Sequence, residues 1–228
     1  MSDRKYYEAY DDRYRQVHAE NLQWFAEAPS KIVSQVIERF DVRRDVSILE
    51  IGCGEGRDAR PLLNQGFRLL ATDISSEAVL YCQKLDPEHA GSYRVLDCVH
   101  GQTDERFDFI YAVAVLHMLV ENNDRAAFYR FIRDHLSADG IALICTMGNG
   151  IFERSSDIST AFDLQQRTHE ESGKSLLIAG TSCRMVSFST FETEIDRSGL
   201  NLLEMGSTSV EPDFPQMMYA VVKGADND

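Results

Sequence analysis

The stretch from Ser47 to Asp58 constrains this chain more than any other, because an apolar run suited to a β-strand breaks there into three glycines at alternate positions, Gly52, Gly54 and Gly56. Ile48, Leu49 and Ile51 suit a short strand buried on both faces, as in a parallel sheet. Glu50 is costly to bury in such a strand, so its carboxylate is expected where the strand meets solvent or a polar ligand. The glycines permit positive φ and let the backbone approach a ligand that any Cβ would push away. The segment therefore predicts a strand, a ligand-hugging loop and a helix.

The spacing decides which ligand. A pyrophosphate-binding dinucleotide turn carries G-x-G-x-x-G, whose last glycine would stand where Arg57 is. About twenty residues on, Phe67 to Asp73 reads as a second strand ending in an acid, the group that accepts from both hydroxyls of a ribose. A nucleoside is expected and a pyrophosphate is not, which opposes the alternative of an NAD-linked oxidoreductase.

The rest of the chain alternates strand and helix. Strands are expected at 47–52, 67–73, 93–97, 107–113 and 140–147, and helices near 58–65, 76–85 and 122–136. Gly66 and Gly140 are expected to end helices. Before the alternation lie two helices: Tyr6, Tyr10 and Tyr14 share one face of the first, continued by Val17 and His18, and Ser30 caps the second, with Ile32, Val33, Val36, Ile37 and Phe40 at helical spacing. Residues 148–187 lose the alternation and predict an insertion. Ser189 and Glu192 form a capping-box pattern for a last helix that Gly199 stops. Residues 200–205 and 217–222 read as two final strands joined by a loop containing Pro212 and Pro215. The fold class is α/β, a doubly wound, mostly parallel sheet with its ligand site at the carboxyl ends of the strands. Residues 1–228 are expected to form one domain, with 1–45 as a helical cap and 148–187 on the substrate side.

A formal charge of −14, from 37 acids against 23 bases, disfavours nucleic acid as a partner. The five cysteines, Cys53, Cys82, Cys98, Cys145 and Cys183, are scattered and form no C-x-x-C metal pair, which fits reduced thiols in a cytoplasm and no metal site. The start of the chain has no apolar signal core and no run is long enough to cross a bilayer, so neither secretion nor a membrane partner is expected.

With these residues in place, the sequence resembles the class I S-adenosylmethionine-dependent methyltransferases. Leu49 to Gly56 looks like their first motif, Ala71-Thr72-Asp73-Ile74-Ser75 the second, Val95-Leu96-Asp97-Cys98 the third, Phe107 to His117 the fourth, and Leu136 to Ile144 the strand-five motif. The resemblance runs in order from about Ile32 to Gly224; the turn from Gly56 to Ala59 and Gln65-Gly66-Phe67 are also similar to the thiopurine and tellurite-resistance branches. It implies a seven-stranded sheet ending in an antiparallel pair, S-adenosyl-L-methionine as cofactor, and a small-molecule acceptor methylated on oxygen, nitrogen or sulfur. A member that binds the nucleoside without turning it over is the alternative. By resemblance, Asp97 accepts from the adenine amino group, Cys98 contacts the ring by its backbone, Ile74 belongs to the ribose motif, Glu50 orders the loop or reaches the methionyl ammonium through water, and Ala112 offers that ammonium a carbonyl.

Gly52, Cys53 and Gly54 should follow the methionine and ribose, and Asp73 should take the ribose hydroxyls. Methyl transfer is an in-line displacement whose catalysis can come from positioning. His117, just past the fourth strand, has two readings: a neutral imidazole that takes a proton from the acceptor, or a histidine hydrogen-bonded in its turn. Tyr10 and Tyr14 could close over the cofactor and present hydroxyls or ring faces to the sulfonium, or simply pack, as could Trp24 and Phe25. Arg154, Arg167, His169 and above all Arg184 are candidates for gripping an acceptor carboxylate. Cys53 and Cys98, with no base beside them, read as small apolar packers.

Overall fold

The strand expected ahead of the glycines is β1 (Ile48–Ile51), and all four of its residues are buried. The computed structural model describes residues 4–24, 28–169 and 171–225. In chain order these hold α1 (Ala9–His18), α2 (Lys31–Arg39), β1, α3 (Ala59–Asn64), β2 (Leu69–Asp73), α4 (Ser76–Leu85), β3 (Tyr93–Val95), β4 (Phe107–Val113), α5 (Asn122–His135) and β5 (Leu136–Met147). The insertion contributes β6 (Arg154–Ser155), β7 (Leu164–Thr168), β8 (Ser175–Ala179) and β9 (Arg184–Met185). The chain closes with α6 (Phe188–Arg197), β10 (Leu200–Val210) and β11 (Phe214–Gly224).

Seven strands form one sheet in the order β10-β11-β5-β4-β1-β2-β3. β1 runs parallel to both β2 and β4, with Ile48 opposite Leu69 on one side and Phe109 on the other, and only β11 is antiparallel to its neighbours β5 and β10. Because the chain winds outward through β2 and β3 and then returns to β4 beside β1, a crevice opens at the carboxyl end of β1, where such sheets bind ligands. Apolar side chains fill both faces: Ile32, Val36, Leu62 and Val79 from α2, α3 and α4 on one, Phe128, Ile132, Phe191 and Ile195 from α5 and α6 on the other.

Three local expectations need correction. Gly140 does not end a helix: α5 stops at His135, β5 begins at once, and the ladder with β4 shifts so that Phe107 faces Leu136 while Phe109 faces Ile141. Gly140 lies in that irregularity, where a Cβ would come within 2.8 Å of the Phe107 carbonyl. The cap of α6 is Ser187, whose hydroxyl accepts from the Thr190 N–H at 3.2 Å, and not Ser189. Ser30 precedes α2 as expected, but its hydroxyl donates to Asp58 at 2.8 Å and leaves the helix without a side-chain cap. The last two strands run further than expected, to 11 residues each.

The insertion pairs β6 with β9 and β7 with β8. It is fastened to α1 through Arg13, a buried guanidinium that donates to the Ala179 and Gly180 carbonyls and the Thr181 hydroxyl and lies 5.1 Å from the Trp24 ring. Val17 packs on Leu176 and Ile178. α1 also reaches the loops at the carboxyl end of the sheet: Asp11 accepts from the Ser75 hydroxyl and the Glu77 N–H ahead of α4, and Tyr7 hydrogen-bonds His100 after β3. No described helix is long and apolar enough to cross a membrane. All five cysteines are free thiols.

Candidate functional site

A pocket occupies the crevice. Glu50, Gly52, Cys53 and Gly54 come to its wall from β1 and its loop, Asp73 and Ile74 from the end of β2, Asp97 and Cys98 from the loop after β3, and Tyr10 and Tyr14 from α1. Ten of the residues singled out from sequence are thus brought together, from four separate elements.

The loop is shaped by two hydrogen-bonding anchors. The Thr72 carbonyl accepts from Gly52 N–H at 2.7 Å and Cys53 N–H at 2.8 Å, and the Asp73 carboxylate accepts from Gly54 N–H and Ser75 N–H, both at 2.8 Å. Gly52 holds φ +75° and Gly54 φ +52°; a Cβ on Gly52 would stand 2.3 Å from a Val115 methyl, and one on Gly54 2.7 Å from the Tyr14 hydroxyl. Asp73 therefore fixes the glycine loop as well as facing the pocket. Its burial pushes its pKa up to about 6, against the lowering effect of the Ser75 and Gly54 N–H groups.

Glu50 is 3% exposed and its Oε2 has no hydrogen-bond partner. Burial, and then the charge of Asp58, hold this carboxyl well above the usual range. Tyr14 and Tyr10 are pushed up by burial, so both hydroxyls are neutral donors; Tyr10 donates to the Ser182 carbonyl at 3.3 Å. The neighbouring Cys82 thiol and burial raise the Cys53 pKa, and burial raises that of Cys98, which keeps both sulfurs protonated and agrees with packing roles. Asp97 is partly engaged in its own turn: Oδ1 accepts from the Val99 N–H at 2.8 Å, and Oδ2 lies 3.1 Å from His100 Nδ1.

Six singled-out residues lie elsewhere. Ala112 is inside β4, paired with Ile144, and the pocket wall begins one residue later at Val113. His117 is on a short 3-10 turn, Leu116–Met118, that carries its ring behind the wall to 5.8 Å from Phe214. Burial, then the charges of Arg125 and Arg13, push its pKa down to about 4, and its Nδ1 is buried without a hydrogen-bond partner. Arg184 donates to the Val120 carbonyl at 2.8 Å and to Asn122 Oδ1 at 2.6 Å, fastening the insertion to the start of α5 rather than facing the pocket. Arg154 and Arg167 are exposed, and His169 hydrogen-bonds the Gln23 carbonyl and the Ser172 hydroxyl. Phe25 lies outside the described residues.

Sequence reasoning missed Tyr7, Arg57, Asp58, Met118 and Phe214, all on the wall. α1 starts at Ala9, so the inward stripe is Tyr7, Tyr10 and Tyr14; Tyr6 instead accepts from the Val120 and Glu121 N–H groups and donates to Asp124. The 3-4 spacing of Tyr7, Tyr10 and Tyr14 was the available signal. Phe214 had none, because it arrives from the turn between the last two strands.

The far end of α1 is tied down by His18. Its Nε2 lies 3.0 Å from Glu55 of the glycine loop and its Nδ1 3.0 Å from Glu77, with the ring stacked 4.3 Å from Tyr81. Burial lowers its pKa, but the hydrogen bonds from Glu55 and Glu77 outweigh that and raise it above the usual imidazole value. A raised folded pKa means that the stabilisation is full below about pH 6.5 and is lost as pH rises through the folded value. His18→Gln is expected to cost about 1–3 kcal/mol at pH 6 in urea melts and progressively less toward pH 9. A cost independent of pH would contradict a charged clasp.

Residues 49–142, which contain the glycine loop, match a family described as a methyltransferase domain. A malonyl-[acyl-carrier protein] O-methyltransferase of Bacillus anthracis is 28% identical over 142 residues, covering 61% of this chain and 49% of that protein. A ubiquinone biosynthesis O-methyltransferase of Rickettsia typhi is 30% identical over 123 residues, covering 50% and 48%. The chain spans about half the length of these curated relatives. Among solved structures, the CcbJ methyltransferase from Streptomyces caelestis shares the fold with a TM-score of 0.68 at 14% identity, over 94% of this chain and 99% of that one. Residues 49–142 are thus similar to a methyltransferase domain, and the chain shares its fold with a solved methyltransferase.

Proposed function

We propose that this protein transfers a methyl group from S-adenosylmethionine to a small-molecule acceptor. The observation that carries this is the convergence of Gly52, Gly54, Asp73 and Asp97 on one pocket at the carboxyl end of β1. The residues fit the cofactor on two counts. A Cβ would close the cradle at either glycine, and a buried carboxyl oxygen of Glu50 stands without a partner in the pocket wall, as a site for a cationic ammonium requires.

When bound, S-adenosylmethionine supplies a methyl group already activated by its sulfonium charge. The chain's part is to hold and enclose. Asp73 would accept from the ribose hydroxyls, Ile74, Asp97 and Cys98 would take the adenine, and Gly52, Cys53 and Gly54 would give backbone approach toward the methionine. Glu50 would face the ammonium and in doing so regain its charge. Tyr10 and Tyr14 would exclude water and turn ring faces toward positive charge, and Met118 and Phe214 would give the acceptor side an apolar wall. With His117 behind the wall, positioning is the main catalytic device. The insertion and the N-terminal helices would cover the acceptor. The composition favours a small acceptor over nucleic acid, and a cytoplasmic setting suits five unbridged thiols.

The test is calorimetry with S-adenosylhomocysteine followed by a methyl-release assay against a metabolite extract. Micromolar binding and release of labelled methyl are expected. Binding without release across all fractions would leave a nucleoside-binding protein, and no binding would end the proposal.

A further inference from the structure

The ribose and adenine contacts proposed above would take up the pocket from β3 to β1, and the end near Arg57 has its own chemistry. Arg57 follows the third glycine, its side chain is 11% exposed, and it is the one positively charged side chain among the described residues of the wall. Its guanidinium lies 3.4 Å from Asp213, in the turn that leads into β11, and 3.8 Å from Asp58. Phe214 and Val113 line the same end. Asp58 is itself held by Ser30, whose N–H donates at 2.5 Å and whose hydroxyl donates at 2.8 Å. Glu50 Oε2, buried and without a partner, completes the group. A guanidinium flanked by carboxylates from β1, the foot of α3 and the β11 turn is a bipolar surface. It matches a ligand end carrying adjacent positive and negative charges, whereas a phosphate would face Glu50 and Asp58.

We infer that Arg57 grips the carboxylate of the amino-acid tail of the bound nucleoside while Glu50 and Asp58 face its ammonium; this rests on the reading of the pocket as an S-adenosylmethionine site. Guanidinium is suited to the task because its planar fork meets a carboxylate through two parallel N–H donors, at about 2.7–2.9 Å in close charge-assisted pairs. The Asp213 contact, at 3.4 Å, is longer than that, and a carboxylate that meets the fork squarely would displace it. Arg57 thereby selects nucleosides that carry an intact amino acid over those that have lost its acid group.

Two probes differ by that group alone: S-adenosylhomocysteine and 5′-(3-aminopropylthio)-5′-deoxyadenosine, the same molecule without its carboxylate. Both are titrated calorimetrically into the unaltered protein, Arg57→Gln and Arg57→Lys. The unaltered protein is expected to prefer S-adenosylhomocysteine at least about tenfold. Arg57→Gln should weaken that nucleoside about ten- to a hundredfold and the decarboxylated one less than about threefold, and Arg57→Lys should fall between. Persistence of the preference in Arg57→Gln, or equal loss of both nucleosides, overturns the inference. Should Arg57→Gln fail to fold, the unaltered protein and Arg57→Lys decide it: equal affinity for the two probes in the former, or an undiminished preference in the latter, is a refutation. Binding of neither probe by the unaltered protein overturns the cofactor site and the clamp together; equal binding of both overturns the clamp alone.

Discussion

Replacing Asp73 by Asn is expected to weaken S-adenosylhomocysteine binding at least about a hundredfold, because the two charge-assisted hydrogen bonds proposed to the ribose would be lost together. The substitution also presents an amide NH2 where the carboxylate accepts from Gly54 N–H or Ser75 N–H, each at 2.8 Å, so the loop relaxes. The same residue sets a pH signature. Burial puts its pKa at about 6, and the charged form is the one that accepts from hydroxyls. Affinity should be full above that value and fall as pH drops through it. In the empty protein the sign is opposite: an acid with a raised folded pKa binds protons more readily folded than unfolded, so its contribution to stability falls as pH rises from about 3.9 through 6. Calorimetry from pH 5 to 8 on both proteins checks this, and Asp73→Asn should lack the step near pH 6. Undiminished affinity in the variant would remove the ribose from this site.

Gly52→Ala is the second large effect. A left-handed backbone costs an alanine about 1–2 kcal/mol, and its Cβ would stand 2.3 Å from a Val115 methyl, a contact that forces the β4 loop to move at about 1–3 kcal/mol. A stability loss of about 2–5 kcal/mol is expected in thermal or urea melts, with nucleoside binding abolished at micromolar concentrations. Gly66→Ala is the matched control, since φ is +81° there but no atom lies within 4 Å of the added carbon. It should lose stability only by the backbone term and keep its affinity. Equal behaviour of the two would show that crowding at Val115 has no part in the effect.

What could be read from the chain was whatever local spacing encodes. The burial of Ile48 to Ile51, the left-handed glycines and an acid at the end of the next strand are consequences of neighbours in sequence, and they led to the carboxyl end of β1. Arg57 is legible in the sequence only as the residue standing where a dinucleotide turn has glycine and as part of the turn from Gly56 to Ala59; the role proposed for it depends on Asp213 and Phe214, which arrive from the far end of the chain. The placement of His117 has a similar origin. Position after a strand gave the loop, but a 3-10 turn decided which way the ring points. Arg184 is singled out by sequence for being embedded among apolar residues, and in the fold it binds the Val120 carbonyl and Asn122. Tyr6 and Tyr7 differ by one residue of helix phase, which sequence spacing fixes only once the helix start is known.

Arg13 gives the roof a mechanical character. Because one guanidinium knits α1 to residues 179–181, the helix and the insertion behave as a single plate, pinned at separate points by Asp11, Tyr7 and His18. A plate with several pins opens only when they let go in concert, so in the proposed reaction exchange of spent nucleoside, rather than the bond rearrangement beneath it, would be the natural metronome.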